Sequence, residues 1–562
     1  MNNTIAMIPA AGRGSRMMSL TDDNPKAMLP LHNKPLIAWH LDKLIEEEVK
    51  KAIIIVGYKK EKLIEYVNKF YSDKIDITYI EQRELKGLAH AIKQGLDTLS
   101  EEQLENNNLL IILGDTIIKD PLKGLLEEDY SWIGYKEVDD YKRWCLMETS
   151  HNEVVRFIDK PDYDPMTRKA VIGIYYFHDI FELYSNIQEI IKKGVTIKGE
   201  FQLSSAMELY MDSYSLCSIQ FNDWYDCGEV ETFNNTRKNI TRNFNNIKVT
   251  DDNTIIKMSP SNNKKIIQEI NWYSSIPNKL KVYTPQLIDF DKHVEVDEPA
   301  FYELEYINFN PMQELFLYNL PDLPTWNKLF DNIFHMIDKF KQYSNSNNLN
   351  EESQMAVKDI LVEKTKKRIE ELQSQNSIWN EIMNKNFITI NGKAYNNLPI
   401  VLENVYEKVN KELLNNSNDY WQIIHGDLFF GNMLYDINSN TLKIIDPRGN
   451  FGSDGVYGDI RYDLAKLNHS IYGKYDFIVN GLYSLKYNNN DFNYIIYDNK
   501  RHEDILELFK NKLDQNRFNY NHILAITALL FASMIPLHNE NLNNQIMMYL
   551  IATKLSNELS NE

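Results

Sequence analysis

Two short stretches of this 562-residue chain gather residue types suited to phosphate. The first, AAGRGSRMMSLTDDNPKAMLPL at 10–31, sets Gly12 and Gly14 among Arg13, Arg16 and Lys26. Glycines permit positive φ and close backbone approach, so the amides of such a loop can cradle phosphate oxygens. A helix start beyond the loop adds partial positive charge, and the three bases supply charge for a triphosphate. Gly-x-Gly alone is equally a turn with solvated bases, and its spacing matches neither the Walker loop nor the dinucleotide fingerprint. The second stretch, IIHGDLFFGNMLYD at 423–436, also looks like phosphate chemistry, of a different kind.

Two further carboxylates belong with the first stretch. Asp115 ends the apolar run LLIILGD and Asp226 sits in WYDCG. Each alone reads as a turn residue; together they form a plausible Mg²⁺ pair, because Mg²⁺ takes one or two carboxylates plus phosphate oxygens. The elements that must position them follow from periodicity. TIAMI, KAIIIVGY, ITYIEQ and NLLIILGDT read as buried strands alternating with helices at 34–48, in KLIEYVNKFY and in LAHAIKQGLDTL. Alternation of that kind implies βαβ units and a mostly parallel sheet, with ligands beyond the carboxyl ends of the strands. Gly12, Gly57, Gln82 and Gly114-Asp115 fall at those ends. From 130 to 225 the pattern is mixed, with strands in VVRFIDKP, VIGIYYF and YSLCSIQF and helices near 180–193 and 200–212.

The polar run TRNFNNIKVTDDN marks a boundary. Beyond it, TIIKMS, an Ile-rich helix and FYELEYIN suggest a small β-rich lobe, and from 326 the pattern is largely helical. A strand WQIIHGDL and a hairpin turning at Asn438-Ser439-Asn440 interrupt the helices. The domains expected are 1–242, a linker at 243–252, 253–325 and 326–562. Asn-rich patches near 344–350 and 488–491 read as loops.

A net charge of −19 argues against nucleic acid or an anionic membrane as partner, yet leaves room for a local basic pocket. Three cysteines make no disulfide framework and no zinc spacing. The N-terminus lacks the features of a signal peptide, and no stretch approaches the ~18 apolar residues of a membrane span. A cytoplasmic location is the expectation.

AAGRGSR…NPKAMLPL, EQRELKGLAHAI, LGD, IDKP, KGEFQL and WYDCG, in this order over residues 3–240, resemble the sugar-phosphate nucleotidyltransferases. The resemblance implies a Rossmann-like mixed sheet of the GT-A kind. It implies that Ala10, Ala11, Gly12, Arg13, Gly14, Ser15, Arg16 and Lys26 hold the nucleotide and its phosphates. Gln82 and Gly87 would face the base, a CTP, UTP or dTTP. Asp115 and Asp226 would hold Mg²⁺. Lys160 of IDKP would contact the acceptor phosphate, Glu200 of KGEF a sugar hydroxyl, and Gly173 of IGIY would line the acceptor pocket. An acceptor phosphate oxygen would attack the α-phosphorus with loss of pyrophosphate, and the bases would offset the repulsion between two anions.

In the second stretch, Asp427 followed by Asn432 keeps the base-to-ligand spacing of a kinase catalytic loop, with Gly426 where Arg is usual. Asp446 follows the apolar run LKII where a kinase's metal-binding Asp belongs. Lys257 on a strand could pair with Glu269 on the next helix. Residues 250–562, with GDIRYDLAKL, resemble the aminoglycoside phosphotransferase and choline kinase superfamily, which implies a bilobal α+β kinase domain. By that resemblance Asp427 orients or deprotonates the acceptor hydroxyl, and Asn432 and Asp446 hold Mg²⁺. Lys257 would meet the ATP phosphates, and Glu303 to Tyr306 would be the hinge facing adenine. Asp459 and Asp463 read as caps of a helix starting near Tyr462. Pro447-Arg448-Gly449 departs from the family's aromatic and acid, and VTDDNTIIK stands where a Gly-rich loop is usual.

A kinase makes a phosphomonoester and a nucleotidyltransferase consumes one. Fused, they would turn a small hydroxyl compound into a nucleotide-activated precursor for a surface or capsular polysaccharide. A sugar 1-phosphate is the leading intermediate. Choline, ethanolamine or glycerol is the alternative, with Trp326, Trp379 and Trp421 available for an aromatic cage or for the core. A non-catalytic nucleotide-binding role for one domain is a further alternative, and assembly into a homo-oligomer is open.

Overall fold

The computed structural model describes residues 3–21, 24–32, 34–240, 246–250, 252–259, 263–291, 300–318, 321–344, 350–375 and 377–560. The chain forms two compact units, Met1–Ile240 and Thr241–Glu562.

In the first unit Ile5, Ala6, Met7 and Ile8 are all buried, as are Ala52 to Val56 and Leu109 to Ile112. Apolar residues without alternation are what a strand covered on both faces requires. The resulting nine-stranded sheet runs Asp76–Glu81, Lys51–Val56, Thr4–Pro9, Asn108–Ile112, Lys169–Phe177, Ser131–Glu137, Leu216–Gln220, Glu153–Asp159, Cys145–Ser150. Its first four strands are parallel, with Ala6 paired to both Ala52 and Leu110. Lys169–Phe177 then runs antiparallel to Asn108–Ile112. No Gly or Pro separates the strands Ser131–Glu137 and Cys145–Ser150, and Gly134 lies inside the first of them, so neither stands out in the sequence. A second two-stranded ladder, Thr116–Ile118 with Trp224–Asp226, joins the two WYD and LGD segments and pairs Thr116 with Asp226.

The second unit opens with a four-stranded antiparallel sheet ordered Asn246–Val249, Thr254–Met258, Phe301–Glu305, Leu287–Phe290. The first of these lies in 243–252, the stretch expected as a linker; its Ile247 pairs with Lys257. Four residues are too few for their alternation to stand out. The helix Asn263–Ser275 follows. Helices begin before 326, with Met312–Tyr318 and then Leu323–Lys341, capped by Asp322, whose side chain accepts from Thr325 N. The patch at 488–491 is the turn of a hairpin, Tyr483–Asn488 with Asp491–Ile496, whereas 345–349 lies outside the described residues. One helical segment, Tyr520–His538, reaches the length and apolarity of a membrane span, against expectation; 78% of it is buried inside the unit. Residues 523–535, ILAITALLFASMI, interleave Thr527 and Ser533 with apolar residues, which hid the run.

Candidate functional sites for phosphate chemistry

The parallel strands of the first unit deliver their ends to one edge of the sheet. Ala10 N donates to Ile55 O and Tyr58 N donates to Ala11 O. A Cβ on Gly57 would stand 2.6 Å from Ala11 O, so the loop depends on that glycine. Gly12 has open space around it, and Gly14 takes φ +69° against the Lys26 stem. Ser15 begins a tight helical turn, Ser15–Thr21. Arg13 and Arg16 are exposed, with the Arg13 guanidinium 5.6 Å from the Tyr58 ring centroid.

Lys26 Nζ donates to Asp115 Oδ2 at 2.6 Å and to Gly228 O at 3.0 Å. It thereby ties the N-terminal loop to both WYDCG and LGD. Burial opposes ionisation of Asp115, but Lys26 and, beyond it, Arg16 hold its carboxyl below the ordinary range. Asp226 shifts the other way, raised by burial and then by the charge of Asp115. Its Oδ1 accepts from Gly228 N, and Arg143 stands 3.8 Å from Oδ2 while pairing with Glu229. Arg143 and Glu229 escaped the sequence reading, since neither sits in a motif.

Gln82 is buried at the end of its strand. Gly87, at φ +104°, packs on the backbone of Phe201; a Cβ there would lie 2.6 Å from Phe201 O. Phe201 N donates to Lys86 O, and Ala89 N donates to Phe201 O. The GLAH and KGEF segments are therefore zipped together, with Glu200 accepting from Gln202. Gly173, at φ +81°, packs on Leu113 and Thr116, the two residues that flank Gly114-Asp115. Lys160 takes φ +46°, is exposed, and donates its backbone N–H to Trp144 O. Non-glycine residues at positive φ are uncommon and gather at ligand sites.

In the second unit Lys257 Nζ lies 2.9 Å from Glu269 Oε2 and 3.0 Å from Asp446 Oδ1. Tyr302 OH also donates to Glu269 Oε2, at 2.5 Å. Burial and then Asp446 raise Glu269, while Lys257 pulls it down. Asp446 adopts φ +57° and its N–H donates to Tyr273 OH. Asn432 Nδ2 donates to Asp427 O at 3.0 Å and to Asp427 Oδ2 at 3.2 Å. His425 accepts Asp427 N through Nδ1 and holds Ile445 O through Nε2; burial lowers its pKa to about 4, so the ring is neutral.

Three expectations change here. Asp459 alone caps the helix, which runs Ile460–Ile471, by accepting Arg461 N. Asp463 is no cap: it accepts the N–H groups of His425 at 2.7 Å and Gly426 at 2.8 Å, holding the loop from below. Glu303 lies within the inner strand, between Ile256 and Asp289, with its side chain bonded to Thr254, and Tyr306 N–H goes to Asn253 O. The connection to the helical part is 306–309, so Glu303 cannot offer a free backbone edge. Lys466, unremarked in the sequence, stands 2.9 Å from Asp427 Oδ1 and, against burial, holds that carboxyl below its ordinary range. The LAKL context makes it look like a solvated helix residue.

Among the described residues no cluster of three or more His, Cys, Asp or Glu could hold a metal by protein ligands alone. Mg²⁺ needs fewer, since it keeps water and substrate oxygens. Asp115 with Asp226, and Asp446 with Asn432, are sets of that size. In each unit a carboxyl, Asp226 or Glu269, is raised first by burial and further by a neighbouring carboxylate, Asp115 or Asp446, while Lys257 opposes the shift at Glu269.

Residues 5–243 match the family described as nucleotidyl transferase. The UTP–glucose-1-phosphate uridylyltransferase AglF of Haloferax volcanii is 31% identical over 229 residues, 39% of this chain and 88% of the relative. The bifunctional protein GlmU of Methanocaldococcus jannaschii is 30% identical over 226 residues, 40% of this chain and 51% of the relative. The chain thus spans about half the length of its GlmU relatives. A UDP-glucose pyrophosphorylase solved with UDP-glucose is 25% identical, covering 42% of this chain and 97% of that structure at a TM-score of 0.36. Through its first unit, the chain belongs to the nucleotidyl transferase family.

Proposed function

We propose that the chain is bifunctional. Its second unit would phosphorylate a small hydroxyl compound with ATP, and its first would couple the phosphate ester, most simply a sugar 1-phosphate, to an NTP. The observation that carries the first half is Lys26, held between Asp115 and Gly228 beside Arg16. A lysine there neutralises the phosphates of a leaving pyrophosphate. The acceptor phosphate is already an anion, so attack on the α-phosphorus needs no strong base, only orientation and charge. Lys160 would bring the acceptor phosphate, with Glu200 and Gly173 beside the sugar, while Gln82 and Gly87 face the base. UTP is the first nucleotide to test, because AglF carries that specificity in its name; CTP and dTTP follow. Bound Mg²⁺ would supply further positive charge at Asp115 and Asp226.

The kinase half rests on Lys257, Glu269 and Asp446 meeting in one place, with Asp427 and Asn432 in mutual contact. Lys257 would meet the ATP phosphates, and Glu269 fixes its position. Asp427, kept ionised, would accept the hydroxyl proton as the oxygen attacks the γ-phosphorus and ADP leaves. Bound Mg²⁺ at Asp446 and Asn432 would offset the phosphate charge. Supply of a glycan precursor in the cytoplasm is the role that fits both steps; the Agl11 relative of Haloferax volcanii is named for glycan biosynthesis. A matrix of NTPs against phosphate esters, scored by pyrophosphate release, tests the first half. Release with phosphocholine or phosphoethanolamine alone would replace the sugar reading by the phosphoalcohol one.

A further inference from the structure

Four cations from three separate elements gather beside the Asp427 loop: Lys466 and Arg448 act on the Asp427 carboxyl, Lys364 feels it, and Arg368 neighbours Lys364 and Arg448. Lys364 and Arg368 lie one turn apart on the helix Lys364–Gln375, which continues a π-helical turn at Asp359–Glu363. Arg448 comes from the loop after Asp446, and Lys466 from the helix Ile460–Ile471. Arg448 is pinned: its N–H donates to His425 O and its Nη1 to Tyr462 OH. Gly426 is glycine because a Cβ there would stand 2.8 Å from Arg448 Cβ. Arg368 Nη1 donates to Ser533 O.

The carboxylates nearby do not balance this charge. Lys466 takes Asp427, and Asp463 is spent on two backbone N–H groups. Among the described residues Lys364, Arg368 and Arg448 form no ion pair, although Glu371 lies near Arg368. Half-burial, then Arg448, Arg368 and Lys466, depress Lys364 to about 7. Like charges one helical turn apart cost stability, and a protein of net charge −19 has no general reason to concentrate them. π-turns of this sort recur at functional sites. The three tryptophans open to a cation cage are instead core residues in separate places. Trp326 packs on Phe316 and Phe430, Trp379 on Tyr549, and Trp421 on Phe451.

We propose that the hydroxyl compound phosphorylated at Asp427 bears its own negative group, a carboxylate or a phosphate, held by Lys364, Arg368 and Arg448. This rests on the kinase reading above. The acceptor oxygen bonds to the γ-phosphorus, the bond to the β,γ-bridging oxygen breaks, ADP leaves, and the hydroxyl proton passes to Asp427. A sugar acid phosphorylated on its anomeric hydroxyl would serve both units.

The test uses the full chain with MgATP, following ADP release. Glucuronate, glycerate and glycerol 3-phosphate are compared with glucose, glycerol, choline and ethanolamine. The anionic acceptors are expected to give a kcat/KM at least about tenfold higher, and glycerol 3-phosphate against the two acids tells which anion is read. Lys364→Met should raise the acceptor KM about tenfold and leave the ATP KM within about twofold. It should also raise the melting temperature, because it removes a crowded cation. Preference for a neutral or cationic acceptor, or a rise in the ATP KM in place of the acceptor KM, overturns the inference and leaves the kinase reading standing. ADP release undiminished in Asp427→Asn would remove the kinase reading itself.

Discussion

Both units centre on a lysine held by a carboxylate, but they hold it differently. Lys257 and Glu269 are 6% and 0% exposed, and Tyr302 adds a second donor to the glutamate. Lys26 and Asp115 are 13% and 28% exposed, with a backbone carbonyl as the lysine's second partner. A buried pair must stay satisfied, since removing one partner leaves an uncompensated charge. It suits a lysine whose position is fixed throughout the reaction. A partly exposed pair costs less to break, which suits the role proposed for Lys26 at the phosphates. The shifts match: Asp115 sits below its ordinary range and Glu269 above it.

The largest expected effects separate the two pockets. Asp427→Asn should lower ADP formation about 1,000-fold and leave pyrophosphate release unchanged, while Asp115→Asn should do the reverse. Loss of both activities in either variant would break the comparison by making the pockets interdependent. Next comes stability. Lys257→Met should cost about 3 kcal/mol by denaturant unfolding, whereas Lys26→Met should cost about 1 kcal/mol or less. Equal costs would mean that the difference in burial has no energetic meaning.

A pH series sharpens the same contrast. Burial raises Asp476 of the second unit from 3.8 to about 7. Such a carboxyl contributes stability fully below its unfolded pKa and loses it as pH rises through the folded one. Asp476→Asn should therefore gain on the parent as pH rises from 4 to 7, by an amount on the order of 2 kcal/mol. A gap that shrinks over that window would reverse the assignment. The smallest effect belongs to Gly12→Ala. Open space surrounds that position, so melting should be unchanged while the KM for NTP rises a fewfold. An unchanged KM would remove Gly12 from the phosphate loop.

Much of the first unit could be read in advance because three of its parallel strands are near-continuous apolar runs leading into Gly12, Gly57 and Gly114-Asp115 at the same edge. Its mixed half was less legible. Ser131–Glu137 owes its strand form to a neighbour far along the chain, Lys169–Phe177, whereas Cys145–Ser150 pairs in a local hairpin with Glu153–Asp159. In the second unit Asp427, Asn432 and Asp446 stood out by spacing, but Asp463 and Lys466 did not. A carboxylate that holds a loop from another helix leaves no local signature.

The sequence by itself determined which residues could meet phosphate, since that depends on residue type and on the strand ends that local periodicity sets. Only the tertiary structure decided how each charge is balanced. Whether Lys26 is partly exposed, whether Glu269 is sealed, and whether Lys364, Arg368 and Arg448 crowd together depend on burial and on distances between elements up to about 200 residues apart. Electrostatic energies turn on those quantities, and no spacing along the chain encodes them.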